Sequence, residues 1–564
     1  MTKLIVCSAA AAALFCVGSG RLIAQEMPGM PGMEAHHHHD EASTEKLGTV
    51  HFPVSCAPDQ QAPFERGIAL LHSFGYTEAE EQFRAIAKAD PKCVMAHWGI
   101  AMSQFHELWG RPEPPAQKVG AEEMATAKSL IAAGAKVTPR EQMYIDALTA
   151  FYAKVPADFQ SAADAYAAKM KALHEAYPSD VEAAAFYALA EIASVAPGDT
   201  SLAHERAALA VLVPLFKANP QHPGLAHYII HTCDTPQLAQ QGLDAALVYA
   251  KIAPSSPHAL HMPSHIFARL GMWQQDIQSN LASVAASERA AAAGEPGAAH
   301  QLHADQFLIY AYLQVGEDAK AQALLARMPE ISAKMAAMPG MDDMKNSGPF
   351  FLNELNAIVP MEMHYWKTLL TLKPVQGSPL DSTFNTYWGQ AAGAGHLRDS
   401  KATEAALKNF DAAIEALKKT PYAFMVEPEQ VQRNEIVAWD AYARGDNDLA
   451  LKSMRAAADQ QDKLGQYEVD IPAREMLGDL LMLLHRPADA LVEYQVALQL
   501  SPNRLNGLLS AGAAAEASNK PQMAEKFYAE AARNTNDSAT SKRPELLHAV
   551  AYVQQHGTEK QAAE

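Results

Sequence analysis

The chain has 564 residues, enough for several domains or one long repeat array, and 49% of them are hydrophobic, so a sizeable core can be buried. Its formal net charge of -19 argues against nucleic acid or an anionic membrane surface as a partner. Alanine-rich runs such as Ala162-Ala163 and Ala183-Ala184-Ala185 favour helix.

Residues 1–25 read as a secretory signal peptide. Lys3 supplies the positive start, Leu4 to Val17 the apolar run, and Leu22-Ile23-Ala24 a cleavage site. The apolar run is too short to span a bilayer and no later stretch is longer, so no transmembrane segment is expected. The mature chain is expected to be periplasmic or secreted. Cys7 and Cys16 leave with the signal, and Cys56, Cys93 and Cys233 remain. Cys56 and Cys93 bracket the first helical pair and are candidates for a disulfide in an oxidising compartment. The alternative is two buried free thiols. Closing a loop of that length contributes about 3 to 4 kcal/mol in the chain-entropy model.

Residues 26–50 are poor in large apolar groups and rich in Pro and Gly, which predicts disorder. Met27, Met30 and Met33 stand three apart, followed by His36, His37, His38 and His39. Thioethers and imidazoles together suit copper, so these are candidate accessory ligands. Residues 51–370 are predicted to form an N-terminal helical domain. Gly67, Ala79, Phe83 and Pro91 mark a helical hairpin: the small residues let the helices approach, Phe83 fills the gap and Pro91 stops the second helix. Thr138 with Glu141, and Ser179 with Glu182, are read as helix-capping boxes. Residues 222–330 give three more hairpins. A segment with Met335, Met338, Met341 and Met344 follows as a candidate loop or flap, although methionine stripes are more often core filler. Residues 371–385 read as a linker, 386–556 as a C-terminal repeat domain and 557–564 as a fraying tail. In that last domain Gly478, Ala490, Tyr494 and Ala497 recur thirty-four residues on as Gly512, Ala524, Tyr528 and Ala531.

These offsets, with the stretches LLHSFGYTEAEEQF, HPGLAHYIIHTCD, HALHMPSHIFARLGMW and IPAREMLGDLL, resemble the tetratricopeptide repeat superfamily over nearly all of the mature chain. More narrowly, they are similar to a group of exported bacterial tetratricopeptide proteins. The resemblance implies an all-α fold, a helix-turn-helix solenoid in two halves. It also implies export and repeat-mediated binding of a peptide or protein partner. It supplies no reaction. Residues 120–218 depart from the consensus offsets.

The chemistry-bearing residues concentrate in residues 222–303. His227 and His231, and His261 and His265, are His-x-x-x-His pairs, and residues four apart on a helix share a face. His303 lies about one repeat further on. These five are the expected metal ligands, with His258 and Asp305 as accessory candidates and His300 a further one. Pro263 threatens the second pair, because a helix opening there would leave His261 outside it. The competing reading is a set of ordinary inner-groove histidines; against it, burying five imidazoles without partners is costly. An imidazole-rich site suits copper, zinc or iron, and the methionine runs tilt the choice to copper. Residues 227–231 read HYIIH, without the glutamate of a zinc-protease helix. The leading expectation is therefore an exported scaffold that binds a peptide or protein and carries a His-lined transition-metal site on its concave face. The alternatives are a copper- or other metal-dependent oxidoreductase or hydrolase on the same solenoid, and an envelope copper-binding protein.

Overall fold

The computed structural model describes residues 45–563, apart from 107, 109–111, 156, 197, 339–343, 421–422 and 537–541. The proposed signal peptide, Met27, Met30, Met33, His36 to His39 and Met341 lie outside the described residues. Every element among the described residues is helical, and consecutive helices pack as hairpins. No described helix is long and apolar enough to cross a membrane.

Small residues set the spacing of the hairpins. A Cβ added at Gly67 or Gly99 would lie 2.6 or 2.4 Å from the ring of Phe83, so Phe83 wedges between the helices Gln61–His72 and Val94–Met102. The same relation recurs in the C-terminal repeats. A Cβ at Gly478 would meet Tyr494 at 2.4 Å, and one at Gly512 would meet Tyr528 at 2.3 Å. At Gly67, Gly478 and Gly512 the ring comes from the following helix, and at Gly99 from the preceding one. The hairpins therefore form a tetratricopeptide-type helical solenoid.

Two apolar cores fill it. One runs from Leu47 to Ala190 around Phe52, Trp98 and Tyr144. The other runs from Phe74 to Ala549 and continues across residues 371–385, where Leu372, Val375 and Phe384 pack into it. Cys56 and Cys93 are joined as a disulfide with Cα atoms 4.6 Å apart, and Cys233 is a buried free thiol. Thr138 and Glu141 form a reciprocal capping box. The second expected box does not form. Asp180, not Ser179, caps Val181–Ala193 by accepting from the backbone N–H groups of Glu182 and Ala183. The Glu182 side chain is drawn inward by two histidines instead.

The C-terminal repeats close onto the hairpins in residues 257–314. Arg269 Nη1 donates to the Gln466 carbonyl at 2.6 Å, Trp273 Nε1 to the Asn503 carbonyl at 2.8 Å, and Tyr310 Oη to the Asp470 carbonyl at 2.5 Å. Arg504, only 1% exposed, donates to Glu362 at 2.7 Å and Glu475 at 2.8 Å. Removing one partner from such a buried pair leaves an uncompensated charge, so the closure is strongly specified.

Candidate metal centre

Three successive first helices build the centre. Pro223–Cys233 starts at His222, whose Nδ1 accepts from the Leu225 N–H at 3.2 Å, with Pro223 in the first position, where no N–H is needed. Pro257–His261 repeats this start: Ser256 accepts from the Ala259 N–H at 3.2 Å and Pro257 follows. Pro263 does not break the face. Met262 keeps right-handed helical angles (φ -51, ψ -35) and joins Pro257–His261 to Pro263–Arg269. The third helix is Gln301–Gln314.

Six imidazoles converge in two trios, each with its ligand nitrogens within 4.8 Å of one another. His227 and His231 of the first helix meet His258 of the second. His261 and His265 of the second meet His303 of the third. The five expected ligands thus divide two and three, and His258, expected only as an accessory, completes the first trio. His300 stands beside them, its ring centroid 5.0 Å from that of His258. Asp305 belongs to neither trio. Two residues beyond His303, it lies on another face of the helix, where burial pushes its carboxyl up to about 7.

The second nitrogen of each anchored ring decides what the first can do. His227 Nδ1 donates to the His72 carbonyl at 2.6 Å. His261 Nδ1 lies 2.6 Å from Asn280 Oδ1, and that amide is oriented because its Nδ2 donates to Asp276 at 2.7 Å. His265 Nδ1 sits 3.0 Å from both Asp234 and Glu468. His303 Nδ1 lies 2.9 Å from Gln306 Oε1, while Gln306 Nε2 donates to Glu354. In all four rings the Nδ1 proton is engaged by an acceptor and Nε2 turns inward, with a free lone pair in His227, His261 and His303. This is the outer-shell arrangement that fixes tautomer and orientation in metal-binding histidines.

The inward nitrogens are close. His227 and His258 approach Nε2 to Nε2 at 3.1 Å, and His261 and His265 at 3.0 Å. Two lone pairs at that distance repel unless a proton or a cation lies between them. Ligands about 2.0 Å from a tetrahedral ion are about 3.3 Å apart, so the gaps are near those of a coordination sphere. Burial holds His227 and His303 down at about 3, and His231, His258 and His261 well below the ordinary value. These rings are neutral, the state a ligand needs. Burial also lowers His265, but Asp234 and Glu468 outweigh it and raise that ring to about 10. Without an ion, its second proton fills the gap to His261.

The carboxylates behind His265 were not legible in any motif. Burial alone would raise Asp234, yet Arg269 and His265 hold it well below the usual range, while burial pushes Glu468 up to about 7. Arg269 Nε donates to Asp234 at 3.0 Å. Beneath the first trio, Glu182 bonds His72 at 2.7 Å and His222 at 3.0 Å, and Tyr228 bonds His72 at 2.8 Å. Both ring nitrogens of His72 and His222 are used there, which makes this group a pillar under the His72 carbonyl that orients His227. Gly224 admits that pillar: a Cβ there would lie 2.4 Å from His72 Nδ1.

No family model and no curated protein matches the chain. Among solved structures, the human IFIT1 dimer with m7Gppp-AAAA is 11% identical, over 78% of this chain and 90% of that chain, with a TM-score of 0.35. Yeast Tom70 is 11% identical over 89% and 96%, with a TM-score of 0.32. A tetratricopeptide repeat protein from Parabacteroides merdae is 13% identical over 53% and 99%, with a TM-score of 0.26. Scores this low add nothing to the reading of the histidines. What stands on the chain's own hairpins, with glycine against aromatic ring at thirty-four-residue spacing, is a tetratricopeptide-type solenoid.

Proposed function

We propose that this is a transition-metal protein built on a helical solenoid, in which each histidine trio holds one ion, copper by preference and zinc or iron next. The observation that carries the reading is the outer shell. Four rings from three helices have their Nδ1 protons engaged by the His72 carbonyl, Asn280, Asp234 with Glu468, and Gln306, so that Nε2 faces inward in each. The inward Nε2 atoms then pair across 3.1 Å between His227 and His258 and 3.0 Å between His261 and His265, gaps that a proton bridges when no ion is bound. Export, expected from residues 1–25, fits the Cys56–Cys93 disulfide, which persists in an oxidising compartment.

Binding of a peptide or protein partner is the second reading. What favours it is an open cleft of about 640 Å³ lined by Arg140, Tyr177, Asp180, Glu182 and His222, on the far side of the His72–Glu182–His222 group from the first trio's ligands. At the trios themselves the inner wall is covered by residues 466–470, which leaves little room for a peptide there.

Metal analysis of the purified protein tests the first reading. Stoichiometric copper, zinc or iron is expected, reduced by His227→Ala and by His261→Ala. A metal-free protein that takes up none of these ions at micromolar concentration would overturn it.

A further inference from the structure

The two trios are not separate sites that happen to be near. The segment 257–269 serves both, sending His258 to the first and His261 and His265 to the second. Across the boundary, the ring centroids of His231 and His265 are 6.3 Å apart and those of His258 and His261 are 6.4 Å apart. Within the first trio, His231 and His258 are themselves 6.3 Å apart. The step between trios is therefore close to the longest step inside one. Two-metal sites keep their ions about 3.5–4 Å apart, the separation that a shared small ligand spans.

Charge narrows what can occupy such a pair. As ligands all six imidazoles would be neutral, His265 giving up its second proton as the ion binds. The nearest carboxylates, Asp234 and Glu468, are engaged by His265 Nδ1 and Arg269. Two bare dications side by side in a buried pocket would repel strongly. The arrangement calls either for two monovalent ions or for an anion held between two divalent ones. Copper satisfies both conditions in its two oxidation states, and imidazole is a good ligand for it.

Access narrows the exogenous ligand. His227, His231, His258, His261 and His265 are at most 6% exposed, whereas His300 and His303 are half-buried, which puts the mouth on their side. Phe74 lies against His227 at 4.3 Å, and Phe307 against His261 at 4.9 Å and His265 at 4.8 Å. Three protein ligands leave each ion an open position. Such enclosure favours a small ligand over a polymer or a large organic substrate.

We propose that the two trios form one dinuclear copper centre whose ligand is dioxygen, bound between the two ions. This rests on the reading that the trios hold metal. Each copper(I) gives one electron to dioxygen, which takes up both and bridges as the dianion while both ions become copper(II). The oxygen–oxygen bond stays intact, no proton moves and no other reductant is required. The dianion supplies the negative charge that the six neutral ligands do not.

The test uses the full chain with His36, His37, His38 and His39 replaced by Ala, so that the tail contributes no copper. It is loaded anaerobically with copper(I) and then exposed to oxygen. The expected result is two coppers per chain, one dioxygen taken up per two coppers, and no copper(II) paramagnetic resonance signal, because the bridged spins pair. His303→Ala, at a half-buried position, is expected to bind one copper and to show one spin per chain on oxidation. Two coppers with a full two-spin signal, a single copper in the parent chain, or no dioxygen uptake would overturn the dinuclear inference and leave the metal reading standing. No bound copper at all would overturn the inference, and the absence of zinc and iron as well would overturn the metal reading.

Discussion

The Nε2 atoms of His261 and His265 face one another at 3.0 Å, and the Nδ1 atom of each is already engaged, the first by Asn280 and the second by Asp234 and Glu468. The gap between them is therefore a place for a cation, filled by a proton when no metal is present.

Asn280 offers the cleanest probe of that arrangement, because it touches no ion. Asn280→Ala removes the acceptor that keeps the His261 proton on Nδ1. Outer-shell changes of this kind typically cost about 10–100-fold in metal affinity. The loss should appear in copper competition against a chelator, with the helical signal of the folded variant retained. An unchanged affinity would mean that the outer shell does not orient the ligand.

Much of this was legible in the sequence and some was not. The Gly478/Tyr494 and Gly512/Tyr528 pairs announced the hairpins, because a glycine and an aromatic residue at fixed offsets are what the packing requires. The two His-x-x-x-His pairs announced two rings of each trio, because helical spacing alone puts four-apart residues on one face. The division into trios was hidden. Spacing along one helix does not reveal that His258 turns back to His227 while His261 turns on to His303. Glu468 was hidden more deeply, since it reaches His265 from 203 residues away through the closure of the superhelix. Pro263 misled for a physical reason: it lacks an N–H, but the preceding Met262 stays helical, so the face continues.

The buried acids of the C-terminal half make stability fall with rising pH. Burial, reinforced by Asp470 and Glu354, pushes the Glu429 carboxyl from its ordinary value of 4.5 up to about 8. The folded chain therefore holds a proton that the unfolded chain releases above about 4.5. The contribution is fully present below that value, shrinks as pH rises and is exhausted above about 8. Thermal melting followed from pH 6 to pH 9 should show a falling midpoint, and Glu429→Gln, which cannot ionise, should fall less steeply. Parallel slopes would show that Glu429 is not protonated in the native state.

Anomalous X-ray diffraction at the copper edge from crystals of the copper-loaded protein tests the central claim most directly. The account predicts two peaks, one within reach of His227, His231 and His258 and the other of His261, His265 and His303, each about 2 Å from its three nitrogens. Copper found only elsewhere on the chain, with the His261–His265 gap still closed by a hydrogen bond, would contradict it.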